Sequence, residues 1–152
     1  LPEPETFEAA QRHLETFIEA LPQRLGLRPG GLVVGGFSQG ATMSTAYALR
    51  NPGRVHAVIH LAGFLARHPS VRVEKETVGT TAFFWAHGTQ DTVVPFSLAV
   101  EGRRRLAEAG ARLTAKDYPI GHRLDVEVIR DAAQWFRQVV NEENPDGLTP
   151  GG

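Results

Sequence analysis

The sequence predicts an α/β fold: a mostly parallel sheet of about four strands with helices covering both faces. Three observations carry this expectation. Short, nearly continuous apolar runs recur along the chain, as strands buried on both faces require. Runs of helical period alternate with them in the order β-α-β-β-α-β-α, the pattern of a layered α/β domain. Clusters of Gly, Pro and Asn fall at the junctions.

The elements follow in order. Phe7, Ala10, Leu14, Phe17, Ile18 and Leu21 recur at three and four residues and predict an amphipathic helix that Pro22 kinks or ends. After the Pro29-Gly30-Gly31 turn, Leu32 to Gly35 reads as a strand. The following helix runs to about Arg50 and is stopped by Asn51-Pro52-Gly53. Val55 to Leu61, Ala82 to Ala86 and Leu113 to Tyr118 read as three further strands, and Pro95 and Gly110 bracket a helix near Phe96 to Ala109. Val126, Ile129, Ala133, Phe136 and Val140 mark a last amphipathic helix with Asp125 as its N-cap. Gly63 to Thr80 shows little periodicity and is expected as an excursion near the mouth of a site, with a plain solvated connection as the alternative.

With 152 residues, 41% of them hydrophobic and 22% charged, the chain suits one compact domain, expected over residues 1–140. Residues 141–152, rich in Asn, Glu, Pro and Gly, are expected to form a disordered tail. The formal net charge of -1 and the even scatter of Arg and Glu leave no basic stripe, so nucleic acid is not an expected partner. No cysteine is present, which removes disulfides, thiolate metal sites and a cysteine nucleophile. No apolar run approaches the roughly 20 residues of a membrane span, and residues 1–5 lack the features of a signal peptide. The chain starts without Met, as a mature form or a piece of a longer chain would, and a cytoplasmic location is the expectation.

Gly36-Phe37-Ser38-Gln39-Gly40 lies between a strand and a helix, the setting of a nucleophile elbow. Such a turn holds the serine in a strained backbone conformation, lifts its Oγ above the sheet and aims the next backbone N–H, that of Gln39, at the same spot. The flanking glycines are expected where a Cβ would collide with neighbouring backbone. A serine hydroxyl needs a base, usually a histidine oriented by a carboxylate. In open α/β sheets ligand sites lie past the carboxyl ends of strands, so both partners should directly follow a strand. Asp91 follows the third strand and His122 the fourth, and Gly121 is expected to let the loop turn and aim the His122 ring. For Asp91 the alternative is a turn residue bonded to its own backbone.

Among the other histidines, His13 is expected on a helix surface, His56 and His60 as structural, His68 in the excursion, and His87 bonded to loop backbone at a strand end. Trp85 and Trp135 read as structural. No His, Asp or Glu pair shows metal-ligand spacing such as H-E-x-x-H, so no metal is expected. Phe37, Phe64, Leu65 and Val94, each beside a motif or just after a strand, are candidates to line the substrate pocket.

Gly-Gly-Phe-Ser-Gln-Gly-Ala at 35–41, His-Gly-Thr-Gln-Asp-Thr-Val-Val-Pro at 87–95 and Gly-His at 121–122 resemble the phospholipase/carboxylesterase family of α/β-hydrolases, which includes the acyl-protein thioesterases. The resemblance runs from about Leu14 to Phe136 and implies the C-terminal part of that fold. It implies Ser38 as nucleophile, His122 as general base and then acid, Asp91 as its orienter and the Gln39 N–H as an oxyanion donor. It further implies hydrolysis of carboxylic esters and thioesters of short to medium acyl chains, with no cofactor. Family members begin with several further strands, and a loop after an early one carries a His-Gly pair that supplies a second oxyanion donor. No such segment is found here, and loss of one donor lowers turnover by about 10² to 10³, so a weak hydrolase is expected. The same omission leaves the edge at Leu32 to Gly35 unpaired, which predicts a homo-oligomer or a companion fragment joined there. Two alternatives remain: a non-catalytic or truncated domain acting in a larger assembly, and a peptidase or acyltransferase using the same residues.

Overall fold

The computed structural model describes residues 7–9, 11, 12, 15 and 32–143. Of the expected first helix, Phe7, Glu8, Ala9, Gln11, Arg12 and Glu15 are described and helical, and Phe7 is buried in the core. Ala10, His13, Leu14, Phe17, Ile18, Leu21 and Pro22 lie outside the described residues.

The described residues form four parallel strands in the order β1 (Leu32–Phe37), β2 (Val55–Leu61), β3 (Ala82–Gly88) and β4 (Arg112–Tyr118). They are joined by α1 (Gln39–Arg50), the short α2 (Lys75–Val78) and α3 (Phe96–Glu108), and α4 (Val126–Glu143) closes the described chain. Strands β1 and β3 each run two residues past their expected ends, which carries Phe37 and His87-Gly88 into the ladder. The register shifts once, between Leu32 and Val33, and is regular from there to Phe37 opposite Leu61.

Side-chain alternation divides the core into two layers. On one face Leu32, Val34, Val58, Phe83 and Trp85 meet α1, α3 and Phe7; on the other Val33, Ala57, Leu61, Ala82, Phe84 and Ala86 meet α4. Strand β3 is buried at every position, as a central parallel strand must be. The segment between β2 and β3 is more structured than its sequence suggests: Leu65, Ala66, Val71 and Val78 are buried in the core, and Glu74 and Thr77 form a capping box for α2.

Two expectations about the last helix are corrected. Its core-facing stripe is Val128, Ala132, Trp135 and Val139, whereas Val126 and Ile129 are exposed at 70% and 49%. Residues 141–143, expected in a disordered tail, continue the helix, and 144–152 lie outside the described residues. Asp125 caps as expected, its Oδ1 accepting from the Val128 N–H at 3.4 Å. No helix among the described residues is long and apolar enough to cross a membrane.

Candidate active site

Ser38 stands between β1 and α1 with φ 59° and ψ -117°, a conformation that costs a non-glycine residue of order 1–3 kcal/mol. Its N–H donates to the Leu61 carbonyl at 2.7 Å and its carbonyl accepts from Thr42 N–H at 3.1 Å, so backbone bonds on both sides hold the turn. Ser38 occupies the N-cap position of α1, yet its hydroxyl makes no capping bond. The Gln39 N–H belongs to the first turn of that helix, where backbone donors have no intrahelical acceptor and the helix field favours negative charge. Only one of the flanking glycines is required by its own space. A Cβ on Gly36 would lie 2.6 Å from the Gly40 carbonyl carbon, while a Cβ on Gly40 would meet nothing within 4 Å.

The loops after β3 and β4 are tied together. Thr89 N–H donates to the Tyr118 carbonyl at 2.8 Å and Gln90 N–H to the Ile120 carbonyl at 3.0 Å. Gly88 lies so close beneath the second loop that a Cβ would stand 2.3 Å from the Ile120 oxygen. This contact, rather than freedom at Gly121, sets the course of the chain into His122: Gly121 has no positive φ, and a Cβ there would meet only the Gln90 oxygen at 3.7 Å.

Asp91 and His122 come together as expected, with 2.7 Å between Asp91 Oδ2 and His122 Nδ1. The Asp91 carboxylate is wholly buried, and its Oδ1 accepts from the backbone N–H of Val93 at 2.9 Å and of Val94 at 2.8 Å. Burial pushes this carboxyl up, but hydrogen bonds from His122, Val94 and Val93 outweigh it and hold it below the ordinary carboxylate value. The turn-residue alternative for Asp91 is thus half realised: one oxygen binds its own turn and the other binds His122. The His122 ring packs on Phe37 at 4.8 Å between centroids, which sets it against the residue preceding Ser38.

The remaining candidates divide. Phe37 supports His122, and Val94 is buried with its backbone holding Asp91. Phe64 and Leu65 share the lining of a cavity of about 250 Å³ with Leu98, Gly102 and the charged Arg67, Glu101 and Arg105, and Leu65 also belongs to the core. Thr42 is a positioning residue the sequence reading missed. Its hydroxyl accepts from Phe64 N–H at 3.1 Å and lies 3.4 Å from the Ser38 carbonyl, linking the elbow to the loop after β2. Its place four residues after Ser38, within reach of that carbonyl, was the signal. Ala62, at φ 59°, is a second strained residue that the sequence did not announce.

His60 and Trp85 are structural. His60 is fully buried, stacks on Trp85 at 3.6 Å and shares a 2.7 Å hydrogen bond with Thr45; burial pushes its pKa down to about 3. Trp135 packs against Phe84 at 5.5 Å.

The chain matches the Phospholipase/Carboxylesterase family over residues 2–140. It belongs to that family. Among relatives of this family, acyl-protein thioesterase 1 of Aspergillus fumigatus is 31% identical over 132 residues, which cover 84% of this chain and 54% of the relative. Carboxylesterase SOBER1 of Arabidopsis thaliana is 27% identical, over 74% of this chain and 50% of the relative. The chain therefore spans about half the length of these curated relatives. In fold it is similar to the Bacillus cereus carboxylesterase, with a TM-score of 0.79 at 17% identity, covering 90% of this chain and 63% of that one. The α/β-hydrolase fold expected from the family motifs is thereby shown, and the elbow, Asp91 and His122 all lie within the stretch that matches the family.

Proposed function

We propose that this chain is a serine hydrolase that cleaves carboxylic esters, thioesters included, of short to medium acyl chains, with Ser38, His122 and Asp91 as its catalytic residues. The observation that carries the reading is the 2.7 Å contact between Asp91 and His122 at the end of the sheet where Ser38 sits in a strained elbow. Ser38 Oγ attacks the acyl carbonyl carbon while its proton passes to His122 Nε2, Nδ1 being engaged with Asp91. The bond to the leaving group then breaks as Nε2 returns the proton to the departing oxygen or sulfur, leaving the acyl group on Ser38. Water attacks that ester, His122 takes its proton, and the carboxylic acid leaves as Ser38 Oγ is reprotonated. The Gln39 N–H receives the negative charge that develops on the carbonyl oxygen.

The test is intact mass of the purified chain before and after a fluorophosphonate, alongside p-nitrophenyl acetate hydrolysis. Wild type should gain one adduct; Ser38→Ala should gain none and lose hydrolysis. Undiminished labelling of Ser38→Ala would sink the assignment.

A second reading, that the chain acts within a larger assembly, draws on its span of about half the relatives' length. Among the described residues β1 pairs on one side only, with β2. Its sequence Leu-Val-Val-Gly-Gly-Phe has no charge or proline to guard that edge, whereas β4, at the other end of the sheet, carries Arg112, Lys116 and Asp117. The reading therefore includes a second copy or a companion segment pairing along β1.

A further inference from the structure

His87 is the last residue but one of β3, and it is wholly buried. Its Nε2 lies 2.8 Å from the Val94 carbonyl oxygen, which can only accept, so Nε2 carries the hydrogen. Nδ1 is buried and has no hydrogen-bond partner among the described residues; a proton there would find no acceptor. The ring is therefore the neutral Nε2–H tautomer, and burial, the largest influence on its pKa, favours the same state.

The surroundings close a circuit. Val94, whose carbonyl His87 holds, gives its own N–H to Asp91 Oδ1 at 2.8 Å. Asp91 Oδ2, which meets His122 Nδ1 at 2.7 Å, is also 3.5 Å from His87 Nε2. The other groups facing the ring are Phe96 at 6.1 Å and the charged or titratable Arg103, His60 and His122. A Phe would fill this space equally well but would take the Nε2–H donor away from the Val94 carbonyl, so the ring does more than pack.

We propose that His87 is a positioning residue: its Nε2–H fixes the 91–94 turn and holds the Asp91 carboxylate in the orientation that engages His122. The proposal rests on the reading of Ser38, His122 and Asp91 as the catalytic residues. In a Gln side chain the amide nitrogen is as many bonds from Cβ as His Nε2, so His87→Gln keeps a donor within reach of Val94. His87→Leu removes it, and His87→Asn carries the amide one bond short.

Each variant is checked for cooperative unfolding and then read two ways. The first is the downfield proton NMR resonance of the His122 Nδ1–H bonded to Asp91; the second is the acid limb of kcat/KM for p-nitrophenyl acetate. His87→Leu should lose or broaden the resonance and move the acid limb to lower pH by about one unit, a tenfold weaker hold on the imidazolium. His87→Gln should restore both. If Leu matches wild type, or if Gln is as impaired as Leu, the proposal is overturned. Should Leu fail to fold, the Gln and Asn pair decides, and equal behaviour of the two overturns it. The resonance does not depend on turnover. A wild type that fails to label with a fluorophosphonate would end the hydrolase reading while leaving the positioning test intact.

Discussion

A buried histidine ties the stability of this protein to pH. His60 is neutral in the folded chain because burial pushes its pKa from 6.5 to about 3, whereas in the unfolded chain it takes up a proton near pH 6.5. The unfolded state binds more protons below that value, so the contribution is fully present above pH 6.5 and is lost as pH falls from there towards 3. Between pH 7 and pH 5 the loss is about 2 kcal/mol. His60→Phe, which keeps a ring against Trp85 and removes the titrating group, should flatten that slope in urea denaturation whatever its effect at pH 7. Asp91 acts in the same direction at lower pH: its depressed pKa stabilises the fold above the ordinary carboxylate value, and this is lost as pH falls below it. Replacing Asp91 by Asn should lower kcat on the order of 10⁴-fold, since an amide favours the wrong tautomer of His122. Steady-state kinetics checks this while circular dichroism confirms the fold. All three proposed catalytic residues were legible in the sequence because each sits at a strand end. Thr42 was less so, and for His87 the bond to loop backbone was expected but its place beside Asp91 was not, since these contacts depend on loops that meet only in three dimensions.

Elements show where pattern reading succeeds and where it slips. Strand β2 fell where its apolar run predicted, because a buried parallel strand has nearly every position apolar. The orientation of α4 did not follow from the sequence. Val126-Ile129-Ala133-Phe136-Val140 and Val128-Ala132-Trp135-Val139 are both stripes of helical spacing, and the pattern alone does not choose between them. The choice is made by the sheet: Trp135 packs on Phe84, and the Tyr118 hydroxyl donates to Asp131 at 2.8 Å. Trp135→Ala should cost about 3–5 kcal/mol, while Ile129→Ser should fall within about 0.5 kcal/mol of wild type; thermal unfolding of the pair tests the assigned face. Gly88 is the point where two loops meet. Gly88→Ala should cost about 1–3 kcal/mol through overpacking and should lower kcat more than unfolding explains, because the displaced backbone leads into His122.

On the scale of the whole molecule, the side of β1 that has no partner among the described residues is the feature with the largest consequence. Six uncharged residues offer backbone donors and acceptors along an edge with one described neighbour. Light scattering after size exclusion should show a dimer or larger species, and Val34→Lys should shift it towards monomer; a clean monomeric wild type would count against pairing at this edge. The sequence by itself determined the alternation of strands and helices, the elbow, and the two strand-end residues that meet beyond it. These are local properties, set by apolar period, turn chemistry and chain order. The tertiary structure decided which stripe of α4 faces the sheet and which glycine the elbow requires. It also decided how His87 and Val94 hold Asp91, and that it is Gly88 rather than Gly121 that directs His122. Each of these depends on a contact between segments distant in the chain, where close packing admits one arrangement and the one-dimensional pattern admits several.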